Sequence, residues 1–478
     1  MEAAIEWSHR LLDVDEAVLF RRLSVFVGGF TLEGAEAVCV GEPIDGAAIR
    51  ETLSYLVDKS LVTVETTGDA MRYRMLEPLR EFAGDKLRES GETGDARSAH
   101  RSYVLRLTMG ASFGLQVDAT RLGVVVPELD NVEAALRFSI AQRDASAAMQ
   151  IAINTYGVLR YLGRPAQART WLTSALASTD ERPSVLRAAC LGYLGEGHLH
   201  AGDAEAAHAA YVQALEIFRA REFLPGLGWT LQAIADTLRS RGDVGAMRDA
   251  CTEAIDIFRR LGDDEGLGWA LANASGLSFA SGLLEQSRSY AEACVALGEA
   301  APTETKTRMD GLLGLLAAIR GDVGEGRRRY EVALRILEHA SRFELHWLSM
   351  MVGAFEINRP ELFSSGRRHL AVALEAVRGG GVARPVPWIL SLAAPGCVDD
   401  GDMVRAARLF GASDSMLKRF DDESPLAVFA PQIDRARARC EAELGPRFAE
   451  ESARGSVLTV PSAVDLCLAT LTCPDQTR

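Results

Sequence analysis

At 478 residues the chain is long enough for about three ordinary domains, or for one long solenoid with a cap. Its 48% apolar and 25% charged residues make a globular composition, not a disordered one, and a formal net charge of −14 disfavours general binding to nucleic acid or anionic membrane. The lysines are Lys59, Lys86, Lys306 and Lys418, so nearly all positive charge is arginine. The 8 cysteines form no C-x-x-C pair, which suits buried free thiols in a reducing compartment better than disulfides or a metal site. There is no N-terminal apolar h-region and no apolar run of roughly 18 residues. The chain reads as cytoplasmic, neither exported nor membrane-spanning.

In chain order, Ile5, Trp7, Leu11 and Leu12 mark one helical face. Val18, Leu19, Leu23 and Phe26 continue at helical spacing until Gly28-Gly29. Thr31 is placed to cap the next helix, and a third helix is predicted from about Ala47 to Val57. The period then changes: Leu61 to Val64 and Met71 to Met75 alternate as strands about a turn at Thr67-Gly68-Asp69. A helix from Glu77 to about Glu89 follows, with Pro78 in its first turn. Helices with a two-stranded wing describe a winged-helix domain.

The phrases Ile5-Glu6-Trp7-Ser8, Leu19 to Glu33, Leu56 to Val62 and Tyr73 to Ala83 carry a resemblance. They look like the winged-helix domain that follows the nucleotide-binding module in STAND-type regulators, especially the LuxR-type and adenylate-cyclase-fused regulators of actinobacteria. The resemblance implies the order P-loop NTPase, winged helix, helical repeats and a C-terminal LuxR-type helix-turn-helix. Lys59 and Lys86 lack the first glycine of a phosphate-binding loop, and Lys306 and Lys418 are no closer to it. No LuxR-type domain fits after Ala469. The expectation is the middle of a regulator, winged helix plus repeats, without motor or DNA reader.

Residues 93–160 read as a helical junction. Val124-Val125-Val126-Pro127 is expected to be extended, and Asp130 or Asn131 to cap the helix after it. From 161 to 415 a repeat takes over. Ala175, Ala214, Ala254, Cys294, Ala333, Ala373 and Ser413 are all small and stand 39 or 40 residues apart. Gly163-Arg164, Gly202-Asp203, Gly242-Asp243, Gly282-Leu283, Gly321-Asp322 and Gly401-Asp402 mark the turn inside each helix pair, and Pro360-Glu361-Leu362 fills the missing one. Gly195, Ala235, Ser275 and Gly314 form a small column on the first helices. The small-small-aromatic spacing resembles a tetratricopeptide repeat (TPR) stretched by longer helices and linkers such as Gly226-Leu227-Gly228-Trp229 and Gly266-Leu267-Gly268-Trp269. Residues 416–478 are read as capping helices, and 1–92 as the winged-helix domain. The fold class is all-α: a TPR-like α-α superhelix preceded by a small winged helix with a two-stranded wing.

The repeat phase projects Glu196, His200, Trp229, Gln232, Asp236, Arg239, Trp269, Phe279 and Met351 onto a groove for a peptide or effector, against the alternative that the tryptophans pack between repeats. Arg169, Arg248, Arg288, Arg327 and Arg367, with His208 and Ala407 in the same column, form a ladder suited to an acidic partner or to pairing with neighbouring acids. His198, His200 and His208 are poorly placed to share a metal, since helix residues two apart point to different sides. Arg50 and Lys59 stand against Asp45, Glu51 and Asp58 on the third helix, which is not a basic recognition surface. No catalytic constellation, cofactor motif or metal set stands out, so the chain is read as no enzyme. The function expected is a sensing or scaffold portion of a regulator that binds a protein, peptide or small effector, beside a nucleotide-binding module encoded upstream. The alternative is a regulator that binds DNA through the winged helix.

Overall fold

The computed structural model describes residues 2–67, 70–110, 112–113, 116–117, 119–178, 182–340, 342–378, 385–419 and 427–472. They fall into two units, Met1–Arg182 and Pro183–Arg478.

In the first unit α1 (Glu2–Arg10) leads into α2 (Val14–Leu23), opened by a capping box in which Asp13 and Glu16 each accept the other's backbone N–H at 2.8 Å. α2 ends at Leu23, before the glycine pair that was expected to stop it. Ser24 Oγ turns back to the Arg21 carbonyl at 2.6 Å, and Ser24, Val25 and Phe26 make the tighter bonds of a 3-10 turn. Gly28 and Gly29, at φ +76° and +105°, then reverse the chain. α3 (Leu32–Cys39) is capped by Thr31, whose Oγ1 accepts from Gly34 N at 3.1 Å. α4 (Ile49–Asp58) precedes an antiparallel hairpin of β1 (Thr63–Thr67) and β2 (Ala70–Arg74), with Val64 opposite Tyr73. Gly68 and Asp69 of the expected turn lie outside the described residues. The first strand starts later than Leu61, because the Leu61 and Val62 amides both close on the Leu56 carbonyl. Phe30 and Tyr73 exchange two 2.8 Å backbone bonds, which bolts the glycine turn to the wing.

α5 (Glu77–Glu89), α6 (Thr93–Thr108), α7 (Ala119–Val125), α8 (Leu129–Ala141), α9 (Ala145–Tyr161) and α10 (Pro165–Ala177) complete the unit. Two expectations fail here. Val124 and Val125 belong to α7 and Val126 to a 3-10 turn over Val126–Glu128; Pro127 is tolerated because amides in a first turn need no partner. Neither Asp130 nor Asn131 caps α8. The buried Asn131 side chain instead accepts from Val27 N (2.7 Å) and donates to the Gly29 carbonyl (2.9 Å).

The second unit is stacked α-α hairpins of TPR-like kind. The pairs are α11 (Val185–His200) with α12 (Ala204–Ala220), α13 (Leu224–Ser240) with α14 (Val244–Leu261), and α15 (Asp264–Ala280) with α16 (Leu284–Ala296). Then come α17 (Thr303–Ile319) with α18 (Val323–Ala340), α19 (Arg342–Glu356) with α20 (Phe363–Arg378), and α21 (Val386–Asp399) with α22 (Met403–Arg419). α23 (Ala430–Leu444), α24 (Pro446–Ser456) and α25 (Val460–Leu471) follow.

Across both units the six turn glycines hold left-handed φ between +71° and +114°. Asp203 and Asp243 cap the helices that follow by accepting from Ala206 N and Ala246 N at 3.0 and 2.9 Å. A 3-10 turn at Pro360–Leu362 replaces the missing pair. The small column is buried throughout: Ala175, Ala214, Ala254, Cys294, Ala373 and Ser413 are 0% exposed and Ala333 2%. A methyl on Gly195 would come within 2.7 Å of the Tyr211 ring, so the residue must be small there.

Gly226-Leu227-Gly228-Trp229 and Gly266-Leu267-Gly268-Trp269 are not linkers. They form the first turns of α13 and α15, where glycine makes room for aromatic rings: Phe218 against Gly226, and Phe258 against Gly228 and Gly266. α24 crosses α22 even more closely. A Cβ on Gly455 would overlap the Arg408 carbonyl, and one on Gly411 that of Ser452.

Candidate functional site

Two adjacent first helices carry a polar face. On α11, His200 Nδ1 donates to the Glu196 carbonyl at 2.9 Å. On α13, the buried Arg239 reaches Asp236 at 3.4 Å and lies 5.3 Å over the Trp388 ring of α21. Gln232, one turn earlier, is 8% exposed; its carbonyl accepts from Asn273 of α15 at 3.1 Å, but its side-chain Nε2 has no partner among the described residues. A buried donor left open is costly unless something outside supplies an acceptor.

The other projected groove residues are placed differently. Trp229 is 37% exposed, with its ring edge-on to Phe258 at 5.3 Å and 70°; Trp269 is half-buried. Phe279 and Met351 are both 0% exposed and offer no surface to a ligand. Phe279 is sealed by Trp347 and Phe429, with ring centroids at 6.2 and 6.1 Å. Glu196 and His200 thus lie one turn apart on α11, and Gln232, Asp236 and Arg239 within two turns on α13, while Phe279 and Met351 lie in the core.

The arginine column is not a bare rail. Arg288 pairs with Glu285 and Glu292 (2.9 and 3.1 Å), and Arg327 with Glu331 (2.8 Å). Arg367 is 7% exposed, pairs with Asp400 at 2.9 Å and donates to the carbonyls of Thr470 and Leu471 at the end of α25. Arg169 is half-buried and Arg248 exposed. The three histidines take separate partners, His198 facing Asp203 and His208 facing Thr237, and no group suited to a metal ion occurs among the described residues.

Sequence reasoning missed the buried polar clusters of α17–α20. Glu344 is buried against Arg308, which lies 5.0 Å over the Trp347 ring; burial holds its carboxyl above the usual range despite the arginine. Glu356 accepts from Tyr330 (2.6 Å), Ser365 (2.7 Å) and His369 (2.8 Å). Burial opposes its ionisation, yet these bonds outweigh burial and hold its pKa low. A lone Glu or His in an amphipathic helix gives no sign of a partner one helix away.

On the winged helix, Lys59 is drawn to the buried Glu16 at 2.5 Å, and the Tyr55 hydroxyl donates to Glu51 at 2.6 Å. Arg72 and Arg74 of the wing pair with Glu128 and Glu65. Arg50 is exposed without an ion pair among the described residues, beside the exposed Glu51 and Asp58. A cavity of about 300 Å³ lies between the glycine turn and Arg74, Met75 and Arg80. No helix among the described residues is long and apolar enough to cross a membrane.

Residues 12–88 match the winged helix-turn-helix domain family. A Mycobacterium tuberculosis protein, provisionally named an HTH-type transcriptional regulator, is 36% identical over 177 residues, 37% of this chain and 20% of that protein. An uncharacterized protein of the same species is 40% identical over 103 residues, 21% of this chain and 26% of its own. The chain thus spans a fifth to a quarter of the length of these relatives. Among solved structures, a Pyrococcus horikoshii STAND protein with a tetratricopeptide repeat sensor aligns over 93% of this chain and 66% of its own, with TM-score 0.45 and 14% identity. A Rap protein complexed with competence and sporulation factor aligns over 77% and 96%, with TM-score 0.43 and 14% identity. The N-terminal unit carries a winged helix-turn-helix domain.

Proposed function

We propose that this chain is the sensing and coupling portion of a STAND-type transcriptional regulator of the LuxR-like kind, working in the cytoplasm without catalysis of its own. In this reading residues 161–415 bind a protein, peptide or small effector. The junction at 93–160 passes the event to the winged helix at 1–92, which docks on a nucleotide-binding module, and 416–478 close the array. The relatives named as regulators support the setting. The observation that carries the site is Gln232 Nε2, a buried amide donor without a partner among the described residues, one turn before Asp236 on α13. An effector that parts the helices covering this amide and presents a hydrogen-bond acceptor completes it.

The test is a thermal-shift screen of peptides and metabolites, followed by calorimetry of any hit. Gln232→Ala and Glu196→Ala are expected to weaken binding at least tenfold, about 1.4 kcal/mol. Unchanged affinity in both variants overturns the site. Direct DNA binding is the second reading, favoured by the domain type. The engaged Lys59 and the acids beside Arg50 argue against it. A gel shift at low salt that retained DNA, and lost it in Arg50→Ala, would reinstate it.

A further inference from the structure

The first-helix face has two chemically different halves. The position after the small column reads Glu196 and Asp236 on α11 and α13, then Gly276, Leu315 and Ala354 on α15, α17 and α19. Over part of the second half lies a short arm of the same chain, the turn Ala427 to Phe429 and the first turn of α23 through Gln432. Among the described residues, three contacts tie it to these first helices. The turn after α15 uses the carbonyls of Leu277, Ser278 and Phe279 and leaves that of Ala280, which accepts from Ala427 N at 2.8 Å. The Phe429 ring, 4% exposed, meets Phe279 at 6.1 Å and 56°. Gln432 Nε2 donates to the Ala354 carbonyl in the last turn of α19 at 3.1 Å. Two donors with an aromatic ring between them thus address the electronegative ends of two first helices.

We infer that the α15–α19 half of this face is a docking surface for a short peptide that turns into a helix and bears one aromatic anchor flanked by hydrogen-bond donors, and that Ala427 to Gln432 is its resident occupant. A partner segment of that chemistry binds by displacing the arm. The inference rests on the sensing role proposed for these helices and adds how the face is regulated. One backbone bond, one amide bond and one ring pair make an attachment that an external peptide can match contact for contact. The rest of α23 stays anchored through the buried Ile433 and Cys440 and does not have to move.

The test uses the full chain and a fluorescein-labelled, end-blocked peptide with the sequence of residues 427–433, followed by fluorescence polarisation. Phe429→Ala with Gln432→Ala vacates the face, and the peptide should bind that variant at least tenfold more tightly than the unaltered chain. Adding Phe279→Leu should remove the gain. A second pair keeps Phe429 and Gln432 in place. A Cβ built on Gly282 lies 3.8 Å from that of Ala427, the separation a disulfide spans, so Gly282→Cys with Ala427→Cys can lock the arm. Gly282 has φ +77°, so the helicity of this pair is checked by circular dichroism. The oxidised pair should bind no peptide and the reduced pair should regain the affinity of the unaltered chain. Equal binding to the unaltered and vacated chains, no binding to either, or a locked chain that binds as well as its reduced form overturns the inference. The sensing role is judged apart from this, through Gln232→Ala on α13.

Discussion

Asn131 shows how much one side chain can organise. Its amide bridges Val27 N and the Gly29 carbonyl, and its Oδ1 also faces His100 Nε2 at 3.3 Å. Asn131→Ala leaves an amide and a carbonyl of the glycine turn without partners, so it should destabilise the first unit by roughly 3 kcal/mol. Urea denaturation measures the loss, and hydrogen exchange should show the Val27 amide deprotected. Burial pushes His100 down to about 4 from an ordinary value of 6.5. The unfolded chain therefore binds the extra proton first. Stability from this site is full above pH 6.5 and is lost as pH falls toward 4, by about 3 kcal/mol in all. Urea midpoints at pH 7 and pH 4.5 should converge in His100→Gln relative to the unaltered chain. The sequence made Asn131 look like a cap, because a polar residue just inside a helix usually is one. Its partners in the glycine turn lie a hundred positions earlier, and no local pattern points to them.

At the scale of elements, the glycines separate by what surrounds them. Gly242 has φ +75° with nothing within 4 Å of an added Cβ, whereas on Gly455 that atom would overlap the Arg408 backbone. Gly242→Ala should cost about 1 kcal/mol from left-handed strain alone. Gly455→Ala should cost about 3 kcal/mol or more, because α22 and α24 must separate. Thermal melts of the two variants test the order, which would be reversed if backbone strain dominated. This contrast also explains what was legible. The turn glycines announce themselves through their regular spacing and following Asp. The glycines of Gly226-Leu227-Gly228-Trp229 looked like a linker because flexibility and close packing call for the same residue. Repeat phase likewise says which way Phe279 and Met351 point, but not how deeply neighbouring helices cover them.

For the whole molecule, the cysteines give a simple check. Cys39, Cys190, Cys251, Cys294, Cys397, Cys440 and Cys467 are free and buried, and burial raises their thiols, those of Cys39, Cys190, Cys251 and Cys397 to about 12. Cys473 lies outside the described residues. An aromatic disulfide reagent should titrate no more than one thiol quickly in the native chain, and all 8 in denaturant. A second fast thiol would show that one of the buried seven opens readily.

The buried small column has a consequence for how such a protein can change. Its members keep their size from Ala175 to Ser413, while the position after the first-helix column runs from Glu196 through Gly276 to Ala354. Helix stacking and the character of the first-helix face are thus written at different places in the same repeating frame. A lineage can duplicate a unit, drop one, or redraw the face residue by residue, and the seams between helices still close.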